Sequence, residues 1–139
     1  MKYFIYTLLL SSAFIVSGCS DSAIVKVFDK DVEKKRLSCM RLIVFPPDKI
    51  LESTLHNLYK FSSDCEYRLT VSKKGGIVCN SNQNAAEKTL TNFPSSYLRM
   101  DVKKDNKPVY SYYIDLLGNV TSEDVERAFF RVQKDILKE

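Results

Sequence analysis

The spacing of apolar residues changes several times along this chain, and each change marks an element. Leu51, Leu55 and Leu58 fall at i, i+4 and i+7, flanked by Ile50, Thr54 and Phe61. That spacing predicts a helix following Pro46-Pro47 and Asp48, and Glu52, His56 and Lys60 form a charged stripe on its other side. Val125, Ala128, Phe129, Val132 and Ile136 form a second helical stripe, wide enough to cover a sheet. Thr121-Ser122-Glu123-Asp124 ahead of it supplies a cap and acidic residues for the positive end of the helix dipole. Ala85, Ala86, Leu90 and Phe93 suggest a weaker helix within Gln83–Phe93, ended by Pro94.

Elsewhere the period is two. Leu37–Phe45 is apolar and β-branched and stops at the two prolines, which predicts a strand; Ala23–Phe28 suggests a shorter one. The mixed charge run Asp29–Arg36 between them is expected to be a solvated loop. Tyr67, Leu69 and Val71 alternate within Glu66–Lys73, and Lys74-Gly75-Gly76 predicts a hairpin turn with Ile77-Val78-Cys79 as the return strand. Tyr97–Lys104 and Pro108–Leu116 predict a second hairpin around a three-residue loop, Asp105-Asn106-Lys107. That register sets Val102 opposite Tyr110, Met100 opposite Tyr112 and Leu98 opposite Ile114, an apolar inner face. Arg99 opposite Tyr113 and Asp101 opposite Ser111 then face outward. Every amphipathic stripe is satisfied by an α+β fold: a single two-layer domain over residues 23–139, with an antiparallel-rich sheet of about five strands and helices on one face.

Composition narrows the chemistry. In 139 residues, 21 Lys and Arg stand against 17 Asp and Glu. This balance is too weak for a nucleic-acid-binding surface. One histidine and no tryptophan are present. With His56 in a charged stripe, a histidine relay or multi-histidine metal site is not expected. The chain contains no nucleophile elbow, phosphate-binding glycine loop, Cys-x-x-Cys or His-Glu-x-x-His. Neither an enzyme nor a cofactor is expected.

The first residues read as an address. Lys2 precedes Tyr3–Val16, fourteen uncharged residues, which is short for a bilayer-spanning helix and suits the core of a signal peptide. The run ends in Val16-Ser17-Gly18-Cys19. An aliphatic residue, two small residues and a cysteine resemble the lipobox of bacterial lipoproteins, with Val16 where leucine is usual. The resemblance covers residues 1–19. It implies that residues 1–18 are removed, that Cys19 becomes a lipidated N-terminus, and that residues 19–22 form the lipidated cysteine and a short tether. Ser20-Asp21-Ser22 spans about 10 Å when extended, so the domain sits close to its membrane. Ser20 directly after the cysteine, where aspartate would favour retention in the inner membrane, implies export to the outer membrane.

An oxidising compartment makes one disulfide expected among Cys39, Cys65 and Cys79. If the first two strands run parallel across the helix, all three cysteines gather at one end of the sheet. A regular first hairpin sets Val71 opposite Cys79, leaving Cys65 about 20 Å away along the strand. Disulfide Cα atoms approach within about 7 Å. Cys39 then pairs with Cys65 or Cys79, the former being preferred, while a buckled segment before Glu66 would instead allow Cys65–Cys79.

Tyr97, Arg99 and Tyr113 share the outward face of the second hairpin, and Phe130 lies off the stripe of the last helix, near Leu137. Tyrosine and arginine are enriched in interaction hot spots, so these four residues are the candidate partner-binding residues. The expected function is a non-enzymatic binding or assembly factor for an envelope or secretion complex, anchored to the outer membrane by lipid on Cys19. In size and plan it is similar to the small lipoproteins that pilot secretin rings or assist envelope machines. The alternative is a lipid-anchored inhibitor or ligand-binding protein.

Overall fold

The computed structural model describes residues 23–77 and 94–138. The signal segment, Cys19, the tether, Cys79 and the helix expected within Gln83–Phe93 lie outside the described residues. The elements run β1 (Ile24–Val27), α1 (Lys30–Lys34), β2 (Arg41–Phe45), α2 (Lys49–Leu58), β3 (Tyr67–Lys74), β4 (Ser96–Lys104), β5 (Lys107–Leu116) and α3 (Ser122–Ile136). One mixed sheet has the order β1-β5-β4-β3-β2. Its only parallel pairing among the described residues is β2 with β3, joined across α2; the other three pairings are antiparallel. The chain is thus a small α+β domain, with three helices among the described residues.

Two rows of inward residues cross all five strands: Val25–Tyr112–Met100–Val71–Val44 and Val27–Tyr110–Val102–Leu69–Leu42. They pack against Val32 of α1, Leu51 and Leu55 of α2, and Val125, Ala128, Phe129, Val132 and Ile136 of α3. The α3 residues are the five of its helical stripe. The helices therefore form one layer over one face of the sheet, as their amphipathic stripes require.

The β4–β5 register expected from alternation holds at all five expected pairs. The turn differs. It has two residues, Asp105 and Asn106, both at positive φ (47° and 64°), with Lys104 opposite Lys107. The register then shifts by one residue between Val102 and Lys103. A two-residue turn plus one extra residue in β5, at Val109, restores the offset of a three-residue loop. Val109 and Tyr110 are both buried as a result.

Three other expectations are corrected. The Asp29–Arg36 run is not a loop: Asp29 caps α1 by accepting from the Asp31 N–H at 3.0 Å, and Val32 is buried in the core. The strand expected from Leu37 begins only at Arg41; Leu37 makes an isolated bridge to Leu137. The Gly75-Gly76 hairpin does not form. Val71 and Ser72, expected to face the return strand, are paired on both sides, with Val44 and Phe45 of β2 and with Met100 and Arg99 of β4. Ile77 instead donates its N–H to Ser95 O at 2.8 Å.

Cys39 and Cys65 are bonded, with Cα atoms 5.9 Å apart. The parallel β2–β3 pair is what brings them together, since each cysteine lies just before its strand. Ile77 lies at the opposite end of β3.

Candidate functional site

Among the described residues, no helix lies on the second face of the sheet. Its residues are the outward half of each alternation, and three rows follow from the register. The first, Ile24–Tyr113–Arg99–Ser72–Phe45, crosses all five strands; so does the second, Lys26–Ser111–Asp101–Thr70–Ile43. The third, Lys103–Arg68–Arg41, lies on β4, β3 and β2. At about 4.8 Å per strand, a full row is about 19 Å wide. Tyr97 and Lys74 are opposite one another beyond the first row, with Asp115 opposite Tyr97 on the other side.

Three of the four candidate residues meet here. The Tyr97 and Tyr113 rings are stacked with centroids 5.6 Å apart. Arg99 is directly opposite Tyr113. The Tyr113 hydroxyl donates to Asp115 Oδ1 at 2.6 Å, and this bond, with partial burial, raises the phenol above its ordinary pKa. Arg99 Nε pairs with Asp101 Oδ2 at 2.7 Å, while Ser111 Oγ donates to Asp101 Oδ1 at 2.7 Å.

Phe130 does not join them. It is exposed on α3, in the other layer, beside Gln133, Lys134 and Lys138. Its expected neighbour Leu137 lines the same depression but is buried, so the pair offers one exposed apolar side chain. His56 is exposed on α2, its ring edge-on to Phe61 with centroids 5.5 Å apart.

The electrostatics of the uncovered face come mainly from residues not singled out in the sequence. Both acids on it, Asp101 and Asp115, are already bonded. Lys26, Arg41, Arg68, Lys74 and Lys103 have no ion-pair partner among the described residues. Arg41, Arg68 and Lys103 are immediate cross-strand neighbours. Like charges in that position repel. Arg68 donates from Nη2 to Asn106 Oδ1 at 3.1 Å, while its Nε is buried with no hydrogen-bond partner. The alternation Arg41-x-Ile43-x-Phe45 was visible in the sequence, but only the sheet order brings Arg41 alongside Arg68 and Lys103.

This face is suited to holding something anionic and aromatic-compatible. Asp101 has both oxygens engaged, by Arg99 and Ser111, and His56 is in the other layer. Among the described residues there is no cluster of three potential metal ligands, and no helix long and apolar enough to cross a membrane. A scan of protein-family models and searches of curated proteins and of solved structures each find no match to this chain.

Proposed function

We propose that this chain is a lipid-anchored, non-enzymatic binding or assembly factor of the bacterial envelope, tethered at Cys19 to the outer membrane, and that its partner docks on the uncovered sheet face. The observation that carries the reading is that face itself: stacked Tyr97 and Tyr113 beside Arg99, above five cations without acidic partners among the described residues. Charge complementarity favours a partner that presents an acidic surface. The lipobox at Val16–Cys19 supports the anchor. The alternative, a lipid-anchored inhibitor or ligand-binding protein, is favoured by a depression at the far end of the sheet, lined by Phe28, Asp29, Lys30, Lys104, Lys107 and Pro108.

Two measurements test the proposal. Cys19→Ser is expected to abolish lipid labelling and to leave the precursor uncleaved at that position; normal labelling refutes the anchor. In pull-downs from detergent-solubilised membranes, Tyr113→Ala with Arg99→Ala, and separately Arg41→Glu with Lys103→Glu, are expected to lose the captured protein while the domain stays folded. Capture at wild-type strength by both variants moves the site off this face.

A further inference from the structure

Of the eight exposed large apolar side chains among the described residues, Phe28, Ile43 and Phe130 are scattered and the other five are gathered. Ile24 (56% exposed), Phe45 (66%), Ile50 (70%), Ile77 (39%) and Leu117 (54%) belong to five different elements or loops, yet all lie at one end of the sheet. The register establishes this. Ile24 opens β1 and is opposite Tyr113 near the end of β5, and Leu117 directly follows β5. Phe45 closes β2 beside Ser72 of β3, and Ile77 follows β3. Ile50 is in the first turn of α2, whose cap Asp48 is held to Lys73 of β3 at 2.7 Å. Ser95 ties the loops together, accepting from the Ile77 N–H at 2.8 Å and donating from Oγ to Leu117 O at 2.7 Å.

The same end is where the N-terminal tether enters the domain. Ile24 is five positions after Cys19, a reach of about 17 Å when fully extended. An acyl chain on Cys19 would therefore hold this end, rather than the end bearing Phe28 and the β4–β5 turn, against the bilayer.

We propose that this end of the domain rests in the headgroup–acyl boundary of the anchoring bilayer, with Ile24, Phe45, Ile50, Ile77 and Leu117 as its apolar contact. The proposal rests on the lipid-anchor reading. Charges at this end are of both signs, Lys49 and Lys74 against Glu52, Asp115 and Glu123, so the contact is apolar and only weakly salt-dependent. Docked this way, the strands stand along the membrane normal. The uncovered face then points sideways, open to a partner in the same compartment.

The chain has no tryptophan, so one introduced indole reports its own surroundings. The test uses Ile50→Trp and Leu117→Trp, with Lys30→Trp on α1 at the opposite end as control, in mature protein carrying Cys79→Ser. Each is coupled through Cys19 to a maleimide-bearing lipid in vesicles of phosphatidylethanolamine and phosphatidylglycerol with brominated acyl chains. The expected result is blue-shifted emission and several-fold bromine quenching for Ile50→Trp and Leu117→Trp, unchanged at high salt, and neither for Lys30→Trp. Equal quenching at both ends, or none at either, overturns the proposal. A blue shift without bromine quenching also overturns it and assigns the end to a protein contact, such as a second copy of the chain. The chemical linkage supplies a tether whether or not a cell lipidates Cys19. Mass spectrometry of Cys19 from cells therefore tests the anchor reading separately.

Discussion

Neighbouring tyrosines in β5 have opposite roles because the strand is pleated. Tyr112 points into the core and is 5% exposed; Tyr113 stacks on Tyr97 on the uncovered face. Truncating a buried aromatic costs about 3–5 kcal/mol, a large part of a domain's stability of about 5–15 kcal/mol. Tyr112→Ala should therefore lower the midpoint of urea unfolding sharply, while Tyr113→Ala with Arg99→Ala should move it little. The reverse order would show that the strand faces the other way. Titration extends the contrast. Burial and a 2.9 Å bond to Asp135 keep the Tyr110 phenol protonated well above its ordinary pKa, and burial raises Tyr112 as well. Unfolded tyrosine ionises near pH ~10, so the stability these groups contribute is complete below that pH and is lost as pH rises past it. Tyr110→Phe should flatten the alkaline limb of the stability–pH curve. Asp48 works in the other direction. Its bonds to Lys73 and to the Leu51 N–H hold its carboxyl below the usual range, so its contribution is present above pH ~4 and fades as pH falls further. Asp48→Asn should shallow the acid limb, as measured by denaturant titration across pH.

At the scale of elements, local chemistry explains the ends better than the partners. Thr121 accepts from the Asp124 N–H, and the Asp124 carboxylate accepts from the Thr121 N–H at 2.9 Å, a reciprocal cap at the start of α3. Burial opposes the charge on Asp124, but the bonds from Thr121 and the ion pair with Arg127 outweigh it and hold its carboxyl below the usual range. Thr121→Ala should cost about 1 kcal/mol, read from thermal or urea unfolding. The β4–β5 turn needs positive φ at two successive residues. Asn106→Gly keeps the backbone freedom but gives up the bond from Arg68, so it should be near neutral, whereas a β-branched residue at that position, as in Asn106→Val, should destabilise by about 1–2 kcal/mol. Both helical stripes and this hairpin's register were legible in the sequence, because each depends on neighbours within about sixteen residues joined by one short turn or none. The β3 edge was not. Lys74-Gly75-Gly76 has the composition of a hairpin turn, but a strand edge goes to whichever strand pairs with it best. β4, which begins twenty-two residues after β3 ends, brought eight consecutive residue pairs to it.

Across the whole molecule, the disulfide joins the approach to β2 with the approach to β3. Its 26-residue separation suggests that reduction should cost about 2–4 kcal/mol. Non-reduced peptide mapping of the mature protein should find the Cys39–Cys65 bond, with Cys79 as the thiol that reacts after denaturation. Two reactive thiols besides Cys79 would remove the bond. The preferred pairing came from two premises, and they fared differently. The parallel arrangement of β2 and β3 is correct and brings the two cysteines together. The hairpin register used to separate Cys65 from Cys79 does not hold, because Val71 is paired with Val44 and Met100.

What the sequence by itself determined is whatever repeats at short range: the helical faces, the strand alternation, the inward and outward sides of β4 and β5, and the caps. Those follow from fixed periods of 3.6 and 2, which need no knowledge of distant partners. The α1 helix departs from its local composition, since a charged segment folds there because Val32 alone finds the core. Tertiary structure alone decided which residues share a surface. The row of Arg41, Arg68 and Lys103 draws on three strands separated by up to 62 positions, and the apolar end draws on five separate segments. Strand order and chain direction are set by the burial of the whole inner face, a collective quantity, so no single stretch of the chain encodes the surfaces that burial leaves outside.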